Sequence, residues 1–379
     1  MTNIPISGHV APGFEAVRET MLANFEQHDE HGAQFCLMRE GEVLVDLCAG
    51  WSDRRKDEPV APDTLFSVYS SGKAMAALVI AWLAEEDRLG YEQPIRTIWP
   101  EMDNHGKGDL TVAQFMSHQA GLSGITNPDW TPEDWYDWDK VCAELAAQEP
   151  IWAPGTACGY HPTTYGILAG EIARRTDQEL RTLGRILREE LAEPSGADVW
   201  IGLPEAEHHR VTTMIKPKKL ANLGDLNPAT KAAFLMPGSA AGGRSQADWL
   251  SAEFAGSNCQ ATAKGLARLM QIAVDGGIAD RAVLSEDTLA TLSQSRIKGE
   301  NLVLPFTLDF AAGIMRNDPN YFYGPNPDTL GHSGWGGSCV FADPKTGLHG
   351  AYVMNRQDNS LLGDPRAVAL MAATYASAL

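Results

Sequence analysis

The chain has 379 residues, 44% of them hydrophobic and 8% aromatic, and a formal net charge of −19 at pH 7. That apolar content supports a sizeable core and excludes a disordered chain, and the length allows two or three domains or one large domain with an embedded subdomain. So acidic a surface argues against nucleic acid or an anionic membrane as partner, because binding phosphate needs clustered cations.

In chain order, Phe14, Val17, Met21 and Phe25 recur at helical spacing. Two short apolar strands follow, Gln34 to Met38 and Val43 to Cys48, joined by the turn Glu40-Gly41-Glu42. Helical patterns then run over Ala74–Glu86, Val112–Met116, Trp135–Ala147, Thr164–Arg175 and Thr262–Val274, and Thr131-Pro132-Glu133-Asp134 reads as a helix start. From Pro204 to Asn258 the chain is rich in Gly and Ala with weak periodicity, and no element is predicted there. Strands return at Phe310–Met315, Ser338–Ala342 and Gly350–Met354, before a last helix with Asp364 as N-cap and Pro365 at its first position. Strands at both ends predict one antiparallel sheet assembled from the termini. Residues 1–68 and 300–379 would build this α/β part, and residues 69–299 a helical subdomain.

The first residues carry neither a basic n-region nor an apolar h-region, so no signal peptide is predicted. No apolar run reaches the roughly 18 residues of a membrane span. Cysteines 36, 48, 142, 158, 259 and 339 form no C-x-x-C pair. His208-His209 has no ligand companion at useful spacing, and H-E-x-x-H is absent, which argues against zinc. A reduced, cytoplasmic protein without metal is expected.

Ser70-Ser71-Gly72-Lys73 leads straight into Ala-Met-Ala-Ala-Leu-Val-Ile. Residues i and i+3 share a helix face, so the Lys73 amine can reach the Ser70 hydroxyl. Burial would lower the lysine's pKa toward that of a useful base, and a helix N-terminus offers free N–H groups to a developing oxyanion. Ser70 as a helix cap, with Lys73 reaching to solvent, fits the same local sequence. Ser295-Arg296-Ile297-Lys298 repeats the spacing in a polar stretch with no helix to bury its lysine. Tyr160 follows a Pro154-Gly155 turn and precedes a helix. There it can relay a proton or simply pack its ring. Gly331 to Ser338 holds four glycines ahead of a strand, which permits close backbone approach by a ligand. Lys345-Thr346-Gly347 reads as hairpin-turn chemistry. No G-x-S-x-G elbow and no nucleotide-binding loop occurs.

In that order, the S-x-x-K at 70, the tyrosine motif at 160 and the Gly-rich strand at 332 resemble the serine β-lactamase and penicillin-binding superfamily. "MSHQAGLSG" at 116–124 and "GHSGWGGSCVFADP" from Gly331 support the likeness. The spacing is most similar to the class C branch, with its DD-peptidases and family VIII carboxylesterases. The resemblance implies an α+β, β-lactamase-like fold, an antiparallel sheet flanked by helices with an all-helical subdomain, and no cofactor. It makes Ser70 the acylated nucleophile, Lys73 its base partner and Tyr160 the catalytic tyrosine. The N–H groups of Ser70 and Trp335 become the oxyanion hole, and His332-Ser333-Gly334 stands where lactamases carry Lys-Thr-Gly.

Two departures bear on substrate. Tyr160-His161-Pro162 replaces Tyr-x-Asn, and His332 replaces the strand lysine. Both remove groups that would hold a β-lactam's amide and carboxylate. The expectation is therefore a serine carboxylesterase acting on small, short-chain acyl esters. A β-lactamase or D-amino-acid peptidase and a silent binding scaffold are the alternatives, and the oligomeric state stays open. Trp130, Trp135, Tyr136 and Trp138 fit either an acyl pocket or a core, and Trp135 is carried forward as a candidate substrate contact. His118 reads as a hydrogen-bonded structural histidine.

Overall fold

The computed structural model describes residues 4–378. From the N-terminus come an edge strand β1 (Ile6–Val10) and the hairpin of β2 (Gly32–Arg39) and β3 (Glu42–Gly50). Glu40 and Gly41 close the hairpin with φ of 51° and 79°, the two positive values of a type I′ turn. In the middle, β4 (Phe66–Tyr69), β5 (Val199–Trp200) and β6 (Cys259–Ala261) form a small sheet in the order β4-β6-β5, and β7 (Gly277–Ile278) pairs with β8 (Arg281–Ala282). The C-terminal part supplies β9 (Ile297–Glu300), β10 (Thr307–Phe310), β11 (Met315–Arg316), β12 (Leu330–Ser333), β13 (Cys339–Ala342) and β14 (Leu348–Met354). Nine strands make one antiparallel sheet, ordered β1-β3-β2-β14-β13-β12-β11-β10-β9. The N- and C-terminal strands therefore meet in its middle, at β2 and β14.

Both faces of β2 are covered. Phe35 and Leu37 belong to a core shared with Val17 and Met21 of helix Glu15–Gln27 and Leu370 of helix Pro365–Ala378. Cys36 and Met38 point the other way, into a core shared with Leu266 and Leu269 of helix Ala263–Met270. Burial on two faces explains why this strand reads as a continuous apolar run rather than an alternating one. Asp364 caps the last helix as expected, its Oδ1 accepting from Arg366 N–H at 2.8 Å.

Several boundaries differ from expectation, each for a local reason. β1 was not predicted. It is an edge strand whose central residues are exposed, so it carries no apolar pattern. Phe310–Met315 is not one strand, because Gly313 at φ 96° turns the chain between β10 and β11. The aspartate of Thr131-Pro132-Glu133-Asp134 accepts from Thr131 N–H and starts only a single 3-10 turn. The helix proper, Trp138–Ala147, is capped by Asp137. Residues 204–258 hold a 3-10 turn (Glu205–Arg210) and two short helices, Pro228–Phe234 and Gln246–Ser251. Residue 299 lies inside β9, and helix Ala263–Met270 packs on β2, β13 and β14. Among the described residues, no helix is long and apolar enough to cross a membrane.

Candidate active site

β4 ends at Tyr69, whose φ is 46°. A side chain held in that region costs about 1–3 kcal/mol. The reversal it makes sets Ser70 in the turn ahead of helix Gly72–Glu85. Every residue of that helix from Gly72 to Leu83 is buried, as an all-round apolar helix requires. Lys73 is carried into the interior with it.

The surroundings of Lys73 fix what it can do. Its Nζ lies 3.0 Å from Ser70 Oγ and donates to Pro162 O at 2.8 Å and Gly256 O at 2.7 Å. Burial disfavours the ammonium and holds its pKa well below the usual lysine value. The positive end of the helix dipole acts in the same direction. A neutral amine has two N–H donors, matched here by two carbonyls, and one lone pair left for the Ser70 hydroxyl.

Tyr160 reaches the same point from the loop ahead of helix Thr164–Thr176, its ring centroid 4.9 Å from Lys73 Nζ. Burial pushes its phenol above the usual tyrosine value, and a hydrogen bond with Ser70 only partly offsets this. The group is therefore a neutral phenol. The next residue, His161, is structural. Its Nε2 accepts from Leu122 N–H at 3.1 Å, its Nδ1 faces Gly159 O, and burial holds its pKa down to about 3.

The third side is the Gly-rich turn after β12. Gly337 N–H donates to Gly334 O at 3.0 Å, Gly334 N–H to Ser338 O at 2.7 Å, and Arg366 Nη2 to Gly336 O at 3.0 Å. Fixing the Gly334 carbonyl also fixes the opposite end of that peptide plane, the N–H of Trp335. Among the described residues, no protein acceptor takes the N–H of Ser70 or Trp335. Gly334 is where the strand crosses the serine turn, and a Cβ there would stand 2.1 Å from Val68 O. Between the three sides opens a pocket of about 240 Å³, lined by Ser70, Tyr160, Phe234, Leu304, Ser333 and Trp335 among others, with no charged side chain in its wall among the described residues.

The structure thus brings together Ser70, Lys73, Tyr160, Ser333 and Trp335. Three expected substrate contacts are corrected. His332 is fully buried and off the pocket wall, its ring packed beneath the site at 6.1 Å from that of Tyr160, and Ser333 is the residue that reaches the pocket. Its Nδ1 lies 2.9 Å from Ser333 O, and burial, with Lys73 nearby, lowers its pKa to about 3, so the ring is neutral. Gly334 serves the crossing just described and does not line the pocket. Trp135 is core. It is 1% exposed, donates from Nε1 to Gly238 O at 2.7 Å and stacks edge-on with Trp130.

The second S-x-x-K is not assembled. Ser295 Oγ donates to Asp309, and Lys298 pairs with Asp318. Lys345-Thr346-Gly347 lies in the β13–β14 hairpin turn. Sequence reasoning missed Gly256 and Phe234, both from the stretch in which no element was predicted. Gly256 acts through its carbonyl, which leaves no side-chain signal.

The beta-lactamase family model matches residues 17–373. The Esterase/beta-lactamase LipL of Mycobacterium tuberculosis is 33% identical over 368 residues, covering 93% of this chain and 83% of its own. A penicillin-binding protein homologue from Caulobacter crescentus superposes with a TM-score of 0.94 at 48% identity, covering 98% of this chain and all of its own. A family VIII carboxylesterase superposes with a TM-score of 0.91 at 40% identity and the same coverage. With the sheet, the serine helix and the Gly-rich strand in the arrangement that likeness requires, the chain belongs to the beta-lactamase family.

Proposed function

We propose that the protein is a serine carboxylesterase that hydrolyses small, uncharged esters through an acyl-enzyme on Ser70. The observation that carries this reading is the Lys73 environment, two carbonyls and one serine hydroxyl around a buried amine. Lys73 takes the Ser70 proton as Oγ attacks the ester carbonyl carbon. The carbonyl oxygen becomes an oxyanion, received by the N–H groups of Ser70 and Trp335. As the intermediate collapses, the alkoxide leaves with a proton from Tyr160, which regains one from Lys73. Water then attacks the acyl-enzyme, giving up a proton to the same pair, and the free acid departs with Ser70 restored.

The printed names of the relatives include both esterase and beta-lactamase. The uncharged pocket wall and neutral His332 favour esters over substrates bearing a carboxylate. Ser70, Lys73 and Tyr160 held in mutual reach disfavour a silent scaffold. Six unpaired, buried cysteines support a reducing, cytoplasmic setting. The direct test is a fluorophosphonate followed by intact mass and peptide mapping. One adduct on Ser70 is expected, and labelling elsewhere with Ser70 free would overturn the assignment.

A further inference from the structure

His118 is fully buried beside Tyr160 and plays no chemical part in the mechanism above. It follows the short helix Val112–Met116 and its cap Ser117, and has a φ of 64°. A histidine in that left-handed conformation is costly unless something gains from it. What gains is the tyrosine loop. The Gly159 N–H donates to His118 O at 3.1 Å, and the His161 N–H donates to His118 Nδ1 at 3.2 Å. Between them, the Tyr160 N–H donates to Asn301 Oδ1 at 3.1 Å. Three consecutive amides are thus held, two of them by one residue that uses its backbone and its ring at once. The imidazole also lies under the phenol, with ring centroids 4.9 Å apart, and is backed by Phe310 at 4.7 Å and Tyr165 at 5.0 Å. Accepting from His161 requires an unprotonated Nδ1, and burial, with Lys73 close by, keeps this ring neutral.

We propose that His118 is a positioning residue for Tyr160, its carbonyl and Nδ1 clamping the amides on either side of the tyrosine so that the phenol is fixed against Ser70. This rests on the reading that Tyr160 moves protons in ester hydrolysis. The clamp has two separable parts. The left-handed backbone can be kept by glycine or asparagine, but only asparagine also supplies an acceptor near Nδ1.

The test compares His118→Gly with His118→Asn, each alone and with Tyr160→Phe. His118→Gly is expected to lower kcat on a p-nitrophenyl ester by roughly 10- to 100-fold, the order lost when a reacting group is misplaced by about 1 Å. KM should change by less than about threefold, and His118→Asn should recover most of the loss. In the Tyr160→Phe background, His118→Gly should add little, since the group it positions is already gone. An equal loss in both backgrounds would overturn the clamp while leaving the esterase reading intact. Full activity of Tyr160→Phe alone would instead remove Tyr160 from the chemistry. A crystal structure of His118→Gly reads the clamp without turnover. The Tyr160 ring should be displaced from Ser70, and finding it at its original position would overturn the proposal.

Discussion

Lys73 Nζ stands 3.0 Å from Ser70 Oγ, and its other two partners, the carbonyls of Pro162 and Gly256, have no proton to give. Of these three partners, Ser70 is the one that carries a proton for the amine to take. Ser70→Ala should abolish ester hydrolysis, measured as initial rate on p-nitrophenyl acetate. Ser295→Ala should leave the rate within about twofold, because that hydroxyl serves Asp309 and no lysine reaches it. An active, folded Ser70→Ala protein would end the assignment.

The same contacts predict how activity follows pH. Lys73 must be an amine to act, and its folded pKa lies well below the usual lysine value. kcat/KM should therefore rise on an acid limb as Lys73 loses its proton, then stay flat, with no descending limb near pH 10. Tyr160, the neutral proton donor, has its phenol pushed above the ordinary value. Lys73→Arg, always charged, should lose at least the ~10²-fold typical of a missing general base. A descending limb below pH 9 that disappears in Tyr160→Phe would show that the phenol ionises in the working range and contradict this.

Stability should carry the opposite sign of benefit. Between the lowered folded pKa and the unfolded value, the unfolded chain holds the Lys73 proton and the folded chain does not. This part of the stability is present above the unfolded pKa and declines as pH falls, by at most about 1.4 kcal/mol per pH unit for one proton. Lys73→Met, similar in volume and uncharged, should raise the melting temperature at pH 7 while destroying activity. A lower melting temperature at pH 7 would show that the three hydrogen bonds outweigh the burial of the lysine.

Tyr160→Phe keeps the ring against His118 and removes only the hydroxyl. Because that hydroxyl acts in the transition state, kcat should fall substantially with KM changed less than about threefold. Stopped-flow separation of acylation from deacylation would show which step depends on it. Unchanged kcat would make Tyr160 a packing residue.

The parts of the site legible in the sequence were those where local pattern and chemistry coincide. Ser70 and Lys73 stand at the mouth of a long apolar helix, and the glycines from Gly331 announce a close backbone crossing. The hairpin around Gly41 and the cap at Asp364 were legible because turn and cap chemistry is local. Gly256 and the walls from Phe234 were not, since a carbonyl and a pocket wall from short, weakly periodic helices leave no pattern. His332 lies off the pocket wall, although its ring stands 6.1 Å from that of Tyr160. The motif fixed its register, but only the packing of helix Gly72–Glu85 against β12 decides which residue faces the pocket.

That placement of His332 sharpens the expectation about substrate. Esters and β-lactams both need a nucleophile and two N–H donors, and the geometry around Ser70 and Trp335 offers both. A β-lactam brings in addition a carboxylate and a side-chain amide. Among the described residues no charged side chain lines this pocket, and His332 is neutral and buried off its wall. The position where Tyr-x-Asn would provide an amide is Pro162, whose carbonyl is already engaged by Lys73. A missing hydrogen bond to a charged group costs about 1.5–3 kcal/mol, or roughly ten- to a hundredfold. A short-chain ester presents neither group and loses nothing. The kcat/KM for p-nitrophenyl acetate or butyrate should therefore exceed that for a chromogenic cephalosporin by at least about a hundredfold on one preparation. Introducing a cation at the pocket wall, as in Ser333→Lys, should narrow that ratio by improving KM for the cephalosporin. A wild-type enzyme that turns over the cephalosporin as well as the ester would favour a β-lactamase instead, with its carboxylate contact supplied by something other than a cation in the pocket wall.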